Sequence, residues 1–199
     1  MEDGNQEMKT YTIIGGVNGT GKSSLTGVLR TQLKDLGTII VVDKITAQGN
    51  YSPLEGGEVA LQHINECLEK RVFFTQETTL SGHKTETTAS RAKESGYFIR
   101  LFYVGLDTPE ECLLRIENRV KHGGHSTSEN NVIMQFAGQL EAVAKILPFC
   151  DEAHFFDNNG FVEVAEYING ELILKGSNHP GWVLELAEYL SNYESVHIE

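Results

Sequence analysis

A glycine-dense segment between an apolar run and a helical one constrains the fold of this chain most. Residues 16–23 fit the pattern G-x-x-x-x-G-K-[ST], and Gly19 adds a further position without a Cβ. Residues 11–14 (YTII) predict a strand before it. Apolar residues at helical spacing predict a helix after it: Leu25, Val28, Leu29, Leu33 and Leu36. Strand, glycine loop and helix in this order indicate a phosphate-binding loop rather than an ordinary glycine-rich turn.

The chemistry of this loop suits a polyphosphate. Consecutive main-chain N–H groups at a helix N-terminus collect partial positive charge, and Lys22 adds a full charge. The Ser23 hydroxyl is placed to ligate a magnesium ion (Mg2+) that bridges the phosphates. The predicted nucleotide-binding residues are Gly16, Asn18, Gly19, Thr20, Gly21, Lys22, Ser23 and Ser24, with Ser23 as the metal ligand.

The length and composition favour one globular domain. With 199 residues, 40% hydrophobic and 22% charged, the chain can bury a sizeable core, and no apolar run is long enough to span a bilayer. We therefore expect a cytoplasmic protein without a membrane partner. Cys67, Cys112 and Cys150 are odd in number and widely spaced, which predicts buried thiols rather than disulfides or a zinc site.

The charge is negative and unevenly distributed. A net charge of −12 argues against nucleic acid as a partner, because backbone affinity depends on clustered Lys and Arg. From residue 122 onward only Lys145 and Lys175 are basic, against twelve acidic residues. Basic groups that meet an anionic substrate must therefore lie in the first 121 residues.

The remaining pattern predicts alternating strands and helices. TIIVVD reads as a second strand ending at Asp43, QGNYSPLEGG (residues 48–57) as a loop, and RVFFTQE as a third strand ending near Glu77, after an amphipathic helix. YFIRLFYVGL is the fourth strand. Thr108, Pro109 and Glu111 begin the next helix as N-cap, first-turn proline and capping-box acid.

The C-terminal half completes an α/β fold. A helix from about 129 to 147 precedes a fifth strand, EAHFFD, a hairpin turning at Asn169-Gly170, and a last helix around 182–190. We predict a P-loop kinase-like parallel five-stranded sheet flanked by helices, with a C-terminal β-hairpin and helix. It would form a single domain over 1–199, with 118–147 as a lid-like helical segment and 161–199 as hairpin and helix.

Two carboxylates are placed for chemistry. Ligands bind at the carboxyl ends of parallel strands, which is where the pattern puts Asp43 and Glu77. Asp43 could equally close its strand or cap the next helix, and Glu77 could anchor its loop through neighbouring threonine hydroxyls. His122 and His125 have no third ligand nearby in the sequence, so we do not interpret them as a metal site.

From about residue 9 to 175 the chain resembles the zeta-toxin family of P-loop kinases, in particular its short bacterial members. The matching segments are IIGGVNGTGKSSL, VVDKI, ECLEKRVFFTQETTLSG, FYVGLDTPEECLLRIENRVKHGGH and CDEAHFFDNNG. The resemblance implies ATP-dependent phosphorylation of a sugar hydroxyl, in the best-known members that of UDP-N-acetylglucosamine. For some members it also implies an antitoxin partner.

The resemblance assigns roles to particular residues. Asp43 would accept the proton of the attacking hydroxyl, and Glu77 would hold the acceptor or order magnesium-bound water. Arg119 and Arg115, four residues apart on one helix face, would reach the transferring phosphate from a mobile lid. Pairing with Glu111 or Glu117 on a solvated face is the alternative for these arginines.

The chain departs from the family pattern at two places. Ile133, Met134 and Gln135 stand where arginines are expected, and Glu58 stands where a basic residue often follows the glycine. Losing a transition-state arginine costs roughly three to five orders of magnitude in rate. Lys44, Lys121 or Arg91 could replace the missing charge, or the acceptor could be less anionic.

Two alternative functions stay open: a nucleotide-binding module without catalysis, and another P-loop kinase chemistry. A switch GTPase is disfavoured because no N-K-x-D motif follows the fourth strand.

Overall fold

The computed structural model describes residues 8–124 and 126–196. Within them, seven strands form one sheet. The strands are β1 (Thr10–Gly15), β2 (Thr38–Val41), β3 (Phe74–Thr78), β4 (Phe98–Gly105), β5 (Glu152–Asp157), β6 (Val162–Ile168) and β7 (Glu171–Leu174). Their spatial order is β2-β3-β1-β4-β5-β6-β7.

Helices connect and cover these strands. The α-helices are α1 (Lys22–Gln32), α2 (Val42–Gly49), α3 (Pro53–Lys70), α4 (Lys84–Glu94), α5 (Pro109–Lys121), α6 (Glu129–Ala137), α7 (Gln139–Ile146) and α8 (Gly181–Val196), with a 3-10 turn at Leu147–Phe149. The helices flank the sheet, and β1, one of its interior strands, is buried at all six positions. Burial on both faces explains why β1 carries no charged side chain.

The five parallel strands confirm the predicted fold class. β1 pairs in parallel with β3 and β4, β2 with β3, and β4 with β5, so that their carboxyl ends share one edge. The hairpin also forms as predicted, with Asn169 and Gly170 at φ values of 54° and 86°, as a tight two-residue turn requires. β6 pairs antiparallel with β5, and the hairpin therefore extends the parallel sheet.

Residues 48–57 are not a loop, and this prediction was wrong. The segment contains the end of α2 and the beginning of α3, separated by a short turn. The Ser52 hydroxyl accepts a hydrogen bond from the Glu55 N–H, and the Glu55 carboxylate accepts one from the Ser52 N–H. Pro53 occupies the first helical turn. Ser-Pro-x-Glu is therefore a capping box, which the neighbouring glycines obscured in the sequence.

Two other helices differ from the prediction. The helix predicted from about 129 to 147 is divided at Gly138 into α6 and α7. The sequence analysis did not predict α4, whose buried face consists of small or polar residues instead of an apolar stripe: Thr85, Thr88, Ala89 and Ala92.

Other predicted features are present. α5 begins with the predicted capping box between Thr108 and Glu111. Cys67 and Cys112 are buried, as expected, and Cys150 is half-buried. Among the described residues, no helix is long and apolar enough to cross a bilayer.

Candidate active site

Three glycines shape the loop between β1 and α1. Gly16, Gly19 and Gly21 have φ values of 145°, 95° and 99°, which side-chain-bearing residues rarely adopt. A Cβ at Gly16 would lie 2.5 Å from the Val104 carbonyl oxygen, and one at Gly19 would lie 2.4 Å from that of Cys112. Main chain from β4 and α5 thus presses against the loop. This packing leaves no room for other residues at these glycines.

Lys22 folds back over this loop. Its Nζ donates hydrogen bonds to the carbonyl oxygens of Gly16 at 2.7 Å and Val17 at 3.1 Å. Burial of the ammonium group lowers the pKa of Lys22 to about 8, whereas the negative charges of Glu77 and Asp43 act to raise it. The residue as a whole is half-buried. A cation held in this way suits a multiply charged anion.

Glu77 is tied to the first helix by two hydroxyl groups. Its carboxylate accepts hydrogen bonds from Ser23 Oγ at 2.7 Å and from Thr26 Oγ1 at 2.6 Å, and the side chain is buried. The alternative was that threonines next to Glu77 in the sequence anchor it by hydrogen bonds. In the structure, both of these hydroxyl donors come from α1 instead. The adjacent hydroxyl and carboxylate oxygens of Ser23 and Glu77 are the donor chemistry that Mg²⁺ prefers.

Asp43 lies in the first turn of α2, directly after β2. Its side chain is exposed, and its negative charge raises the pKa of Lys22. β2 and β3 are neighbours, which brings Asp43 and Glu77 to the same edge of the sheet. Two carboxylates and one buried ammonium group therefore share this edge.

Arg115 and Arg119 both lie exposed on α5. The positive charge of Arg119 contributes to lowering the pKa of Lys22, and that of Arg115 acts on the buried thiol of Cys112. Glu117 pairs with Lys121 at 2.8 Å. Two guanidinium groups therefore lie on α5, and the charge of one of them, Arg119, acts on Lys22 of the loop.

Gln135 reaches the loop from α6. The main-chain N–H of Asn18 donates a hydrogen bond to Gln135 Oε1 at 3.0 Å. In the sequence this glutamine was noted only as a departure from an arginine pattern. A neutral amide therefore stands at the loop where the resemblance implies a cation.

A cavity of about 240 Å³ lies between the segment after β3, α4, α6 and α7. Gln135 and Leu80 line it, and both also lie close to the phosphate loop. Gln135 accepts the hydrogen bond from Asn18, and Leu80 lies 3.1 Å from the position that a Cβ on Gly15 would take. The cavity therefore adjoins the loop on the side of β3.

The ionisable side chains that line this cavity lie in pairs. Lys145 Nζ lies 2.5 Å from Glu141 Oε1, and His83 Nδ1 lies 3.5 Å from Glu86 Oε2. These carboxylates leave little net positive charge at the wall.

Two of the other basic residues considered in the sequence have partners outside the phosphate loop, and a third is exposed. Arg91 Nη1 donates to Asn65 Oδ1 at 2.7 Å, and Lys121 pairs with Glu117, while Lys44 is exposed on α2. His122 Nδ1 lies 2.7 Å from the Asn118 carbonyl oxygen, whereas His125 lies outside the described residues.

Comparison with known proteins identifies one related sequence and several structures of similar fold. No family model matches the chain. It is 33% identical over 123 residues to an uncharacterized protein of Haemophilus influenzae, a match that covers 59% of this chain and 85% of that protein. The chain belongs to the family of this Haemophilus protein.

Two solved structures are similar to this chain in fold. A chain from the PezAT chromosomal toxin-antitoxin system of Streptococcus pneumoniae has a TM-score of 0.65 at 15% identity, covering 94% of this chain and 87% of that one. A chain of the AvrRxo1-ORF1:-ORF2 complex with ATP has a TM-score of 0.67 at 15% identity. That match covers 90% of this chain and 64% of that chain, so this chain spans less than two thirds of its length. These similarities confirm the predicted α/β fold, a parallel sheet flanked by helices.

Proposed function

We propose that this protein is an ATP-dependent kinase that transfers the γ-phosphate of ATP to a hydroxyl group of a small molecule. The observation that carries the proposal is geometric: Lys22 folds over the glycine loop, and the next residue, Ser23, donates a hydrogen bond to the buried Glu77 carboxylate at 2.7 Å. A polyphosphate cradle, a carboxylate beside it and a hydroxyl–carboxylate pair for a metal are the parts that phosphoryl transfer needs.

The roles of the residues follow from this chemistry. The main-chain N–H groups of the loop and Lys22 bind the phosphates. Asp43 takes the proton of the acceptor hydroxyl as its oxygen attacks the γ-phosphorus, and the bond to the bridging oxygen breaks, releasing ADP. Arg119 neutralises charge that develops on the transferring group, and Arg115, one turn earlier, assists from the same face.

The oxygen donors of Ser23 and Glu77 fit Mg²⁺. In this proposal Ser23 is the direct ligand and Glu77 orders metal-bound water, while Thr26 fixes the Glu77 carboxylate through its hydrogen bond. Bound magnesium would neutralise phosphate charge.

Two acceptor classes are candidates. The resemblance favours a nucleotide-sugar such as UDP-N-acetylglucosamine. The paired charges around the cavity beside the loop favour a second class, a small uncharged hydroxyl compound, because they offer little to neutralise a diphosphate.

A matched acceptor experiment tests both classes. The protein is incubated with magnesium, labelled ATP and either UDP-N-acetylglucosamine or N-acetylglucosamine, along with other UDP-sugars, free sugars and nucleosides, and products are identified by mass spectrometry. An acceptor that gains one phosphate supports the kinase. ATP binding without transfer to any member would favour the catalytically inactive binding module instead.

An antitoxin-like partner is a further part of the proposal. The resemblance implies one for some members, and the similar PezAT chain comes from a toxin-antitoxin system. A protein encoded beside this one would be tested by co-purification and by its effect on ATP turnover. Unchanged turnover in a stable complex would contradict an inhibitory role.

A further inference from the structure

The turn after β5 reaches the phosphate loop through one buried side chain. Asn158 follows the last residue of β5 and is only 7% exposed. Its main-chain N–H donates to the Gly105 carbonyl oxygen at 3.4 Å, and its own carbonyl oxygen accepts from Gly160 N–H at 2.7 Å. These bonds fix the main chain of Asn158 at the end of the sheet, so its side chain points from a rigid base.

The amide of Asn158 contacts the peptide unit at the centre of the loop. Asn158 Nδ2 donates a hydrogen bond to the carbonyl oxygen of Thr20. Thr20 is itself buried, and its hydroxyl donates to the Val17 carbonyl oxygen at 2.9 Å. The orientation of the Thr20–Gly21 peptide is therefore set from outside the loop.

This orientation determines where the Gly21 N–H points. The peptide is planar and trans, so its carbonyl and N–H groups point in opposite directions. With the Thr20 carbonyl directed to Asn158, the Gly21 N–H is directed to the opposite side of the peptide, away from Asn158. A peptide rotated the other way would present a carbonyl oxygen to an anion.

Gly21 and Asn158 are also matched in space. A Cβ on Gly21 would lie 2.5 Å from Asn158 Nδ2, so the amide fills the volume that the glycine leaves. At Gly19 the corresponding close contacts are main-chain atoms of Cys112, and at Gly16 the nearest contact is the Val104 carbonyl oxygen, followed by the hydroxyl of Thr20 within the loop itself. At Gly21 the contact is a side chain, which a substitution can change.

We propose that Asn158 is a positioning residue for nucleotide phosphates, holding the Thr20–Gly21 peptide so that the Gly21 N–H faces them. The inference rests on the proposed nucleotide binding. Asn158 acts through the main chain of the loop and need not touch the nucleotide.

The test compares Asn158→Leu and Asn158→Asp with matched changes at the exposed neighbour Asn159. Leucine keeps the size of asparagine and removes the donor, whereas aspartate turns a donor into a second acceptor facing the Thr20 carbonyl. Calorimetric titration with ATP and with ADP is expected to give affinities weakened by about tenfold or more for both Asn158 variants. Asn159→Leu and Asn159→Asp should remain within about twofold of wild type.

A second measurement separates positioning from general destabilisation. Hydrogen exchange of residues 16–22 in the nucleotide-free protein should accelerate in Asn158→Leu, while exchange in the β1 and β4 core stays as in wild type. Normal ATP affinity in a folded Asn158→Leu, or unchanged loop exchange, would overturn the positioning role while leaving the proposed kinase intact. Failure of the wild-type protein to bind ATP would instead overturn the proposed function, and this inference with it.

Discussion

Gln135 Oε1 accepts a hydrogen bond from the main-chain N–H of Asn18 at 3.0 Å, across 117 residues of sequence. An amide oxygen thus accepts from one N–H of the loop, and the contact joins α6 to that loop. Under the proposed function, this N–H is a donor that a phosphate oxygen of ATP would use.

This contact predicts that ATP competes with Gln135. Gln135→Ala should bind ATP more tightly, by roughly 2- to 10-fold, because one net hydrogen bond no longer has to be exchanged. Isothermal titration calorimetry measures the change, and Ile133→Ala on the exposed side of α6 is the control. Weaker ATP binding by Gln135→Ala would mean that the amide contacts the nucleotide itself.

Glu77 offers a test of the proposed magnesium site. Glu77→Gln should lower turnover by on the order of a hundredfold and raise the magnesium concentration needed for half-maximal rate, since a charged metal-water acceptor is lost. Steady-state kinetics over a magnesium series tests this, with Thr26→Val as a control that removes one Glu77 hydrogen bond but retains its charge. An identical magnesium dependence in Glu77→Gln would contradict the assignment.

Asp43 is predicted to act in transfer and not in nucleotide binding. Asp43→Asn should reduce kcat by about two to four orders of magnitude with little change in ATP affinity, because an amide cannot accept the hydroxyl proton. Comparing calorimetric ATP affinity with single-turnover rates separates the two effects. Wild-type transfer by the variant would return Asp43 to a helix-terminal role.

The lowered pKa of Lys22 predicts proton uptake on nucleotide binding. Near and above pH 8 part of the population carries a neutral amine, and a bound polyphosphate favours the ammonium form. ATP affinity should therefore fall as the pH rises above about 8. Calorimetry in buffers of different ionisation enthalpy measures the uptake, which should vanish in Lys22→Arg since arginine stays charged. Uptake that persists in that variant would assign the proton to another group.

The two arginines of α5 should differ in effect. In the proposed mechanism Arg119 neutralises charge on the transferring phosphate, so Arg119→Ala should lower turnover by at least about a hundredfold. Because the side chain is exposed, the melting temperature should change little. Arg115→Ala is the matched comparison on the same face and should cost less. Equal, small effects of both variants would favour a solvated helix face.

The sequence predicted the parts of this fold that depend on local chemistry. The glycines of the loop, the capping box of α5 and the Asn169-Gly170 turn each specify a backbone conformation within a few residues. The capping box at Ser52 is specified by local chemistry in the same way, but the neighbouring glycines led us to predict a loop there. By contrast, α4 buries threonines and alanines, and such a face has no apolar periodicity from which a helix could be predicted.

The candidate site was only partly accessible from the sequence. Strand alternation brought Asp43 and Glu77 to one edge, because parallel strands end on the same side. The contacts of Gln135 with Asn18 and of Asn158 with Thr20 join positions more than a hundred residues apart. A single sequence carries no periodic signal for such tertiary pairings.

Calorimetric titration of ATP with magnesium into wild-type protein and Lys22→Ala tests the central claim most directly, with Lys34→Ala as an exposed control. The account predicts one ATP bound per wild-type chain, comparable binding by Lys34→Ala, and an affinity at least about tenfold weaker for Lys22→Ala, because a charge-assisted contact to the phosphates is lost. Equal ATP affinity of wild type and a folded Lys22→Ala would contradict the assignment of this loop as the nucleotide site.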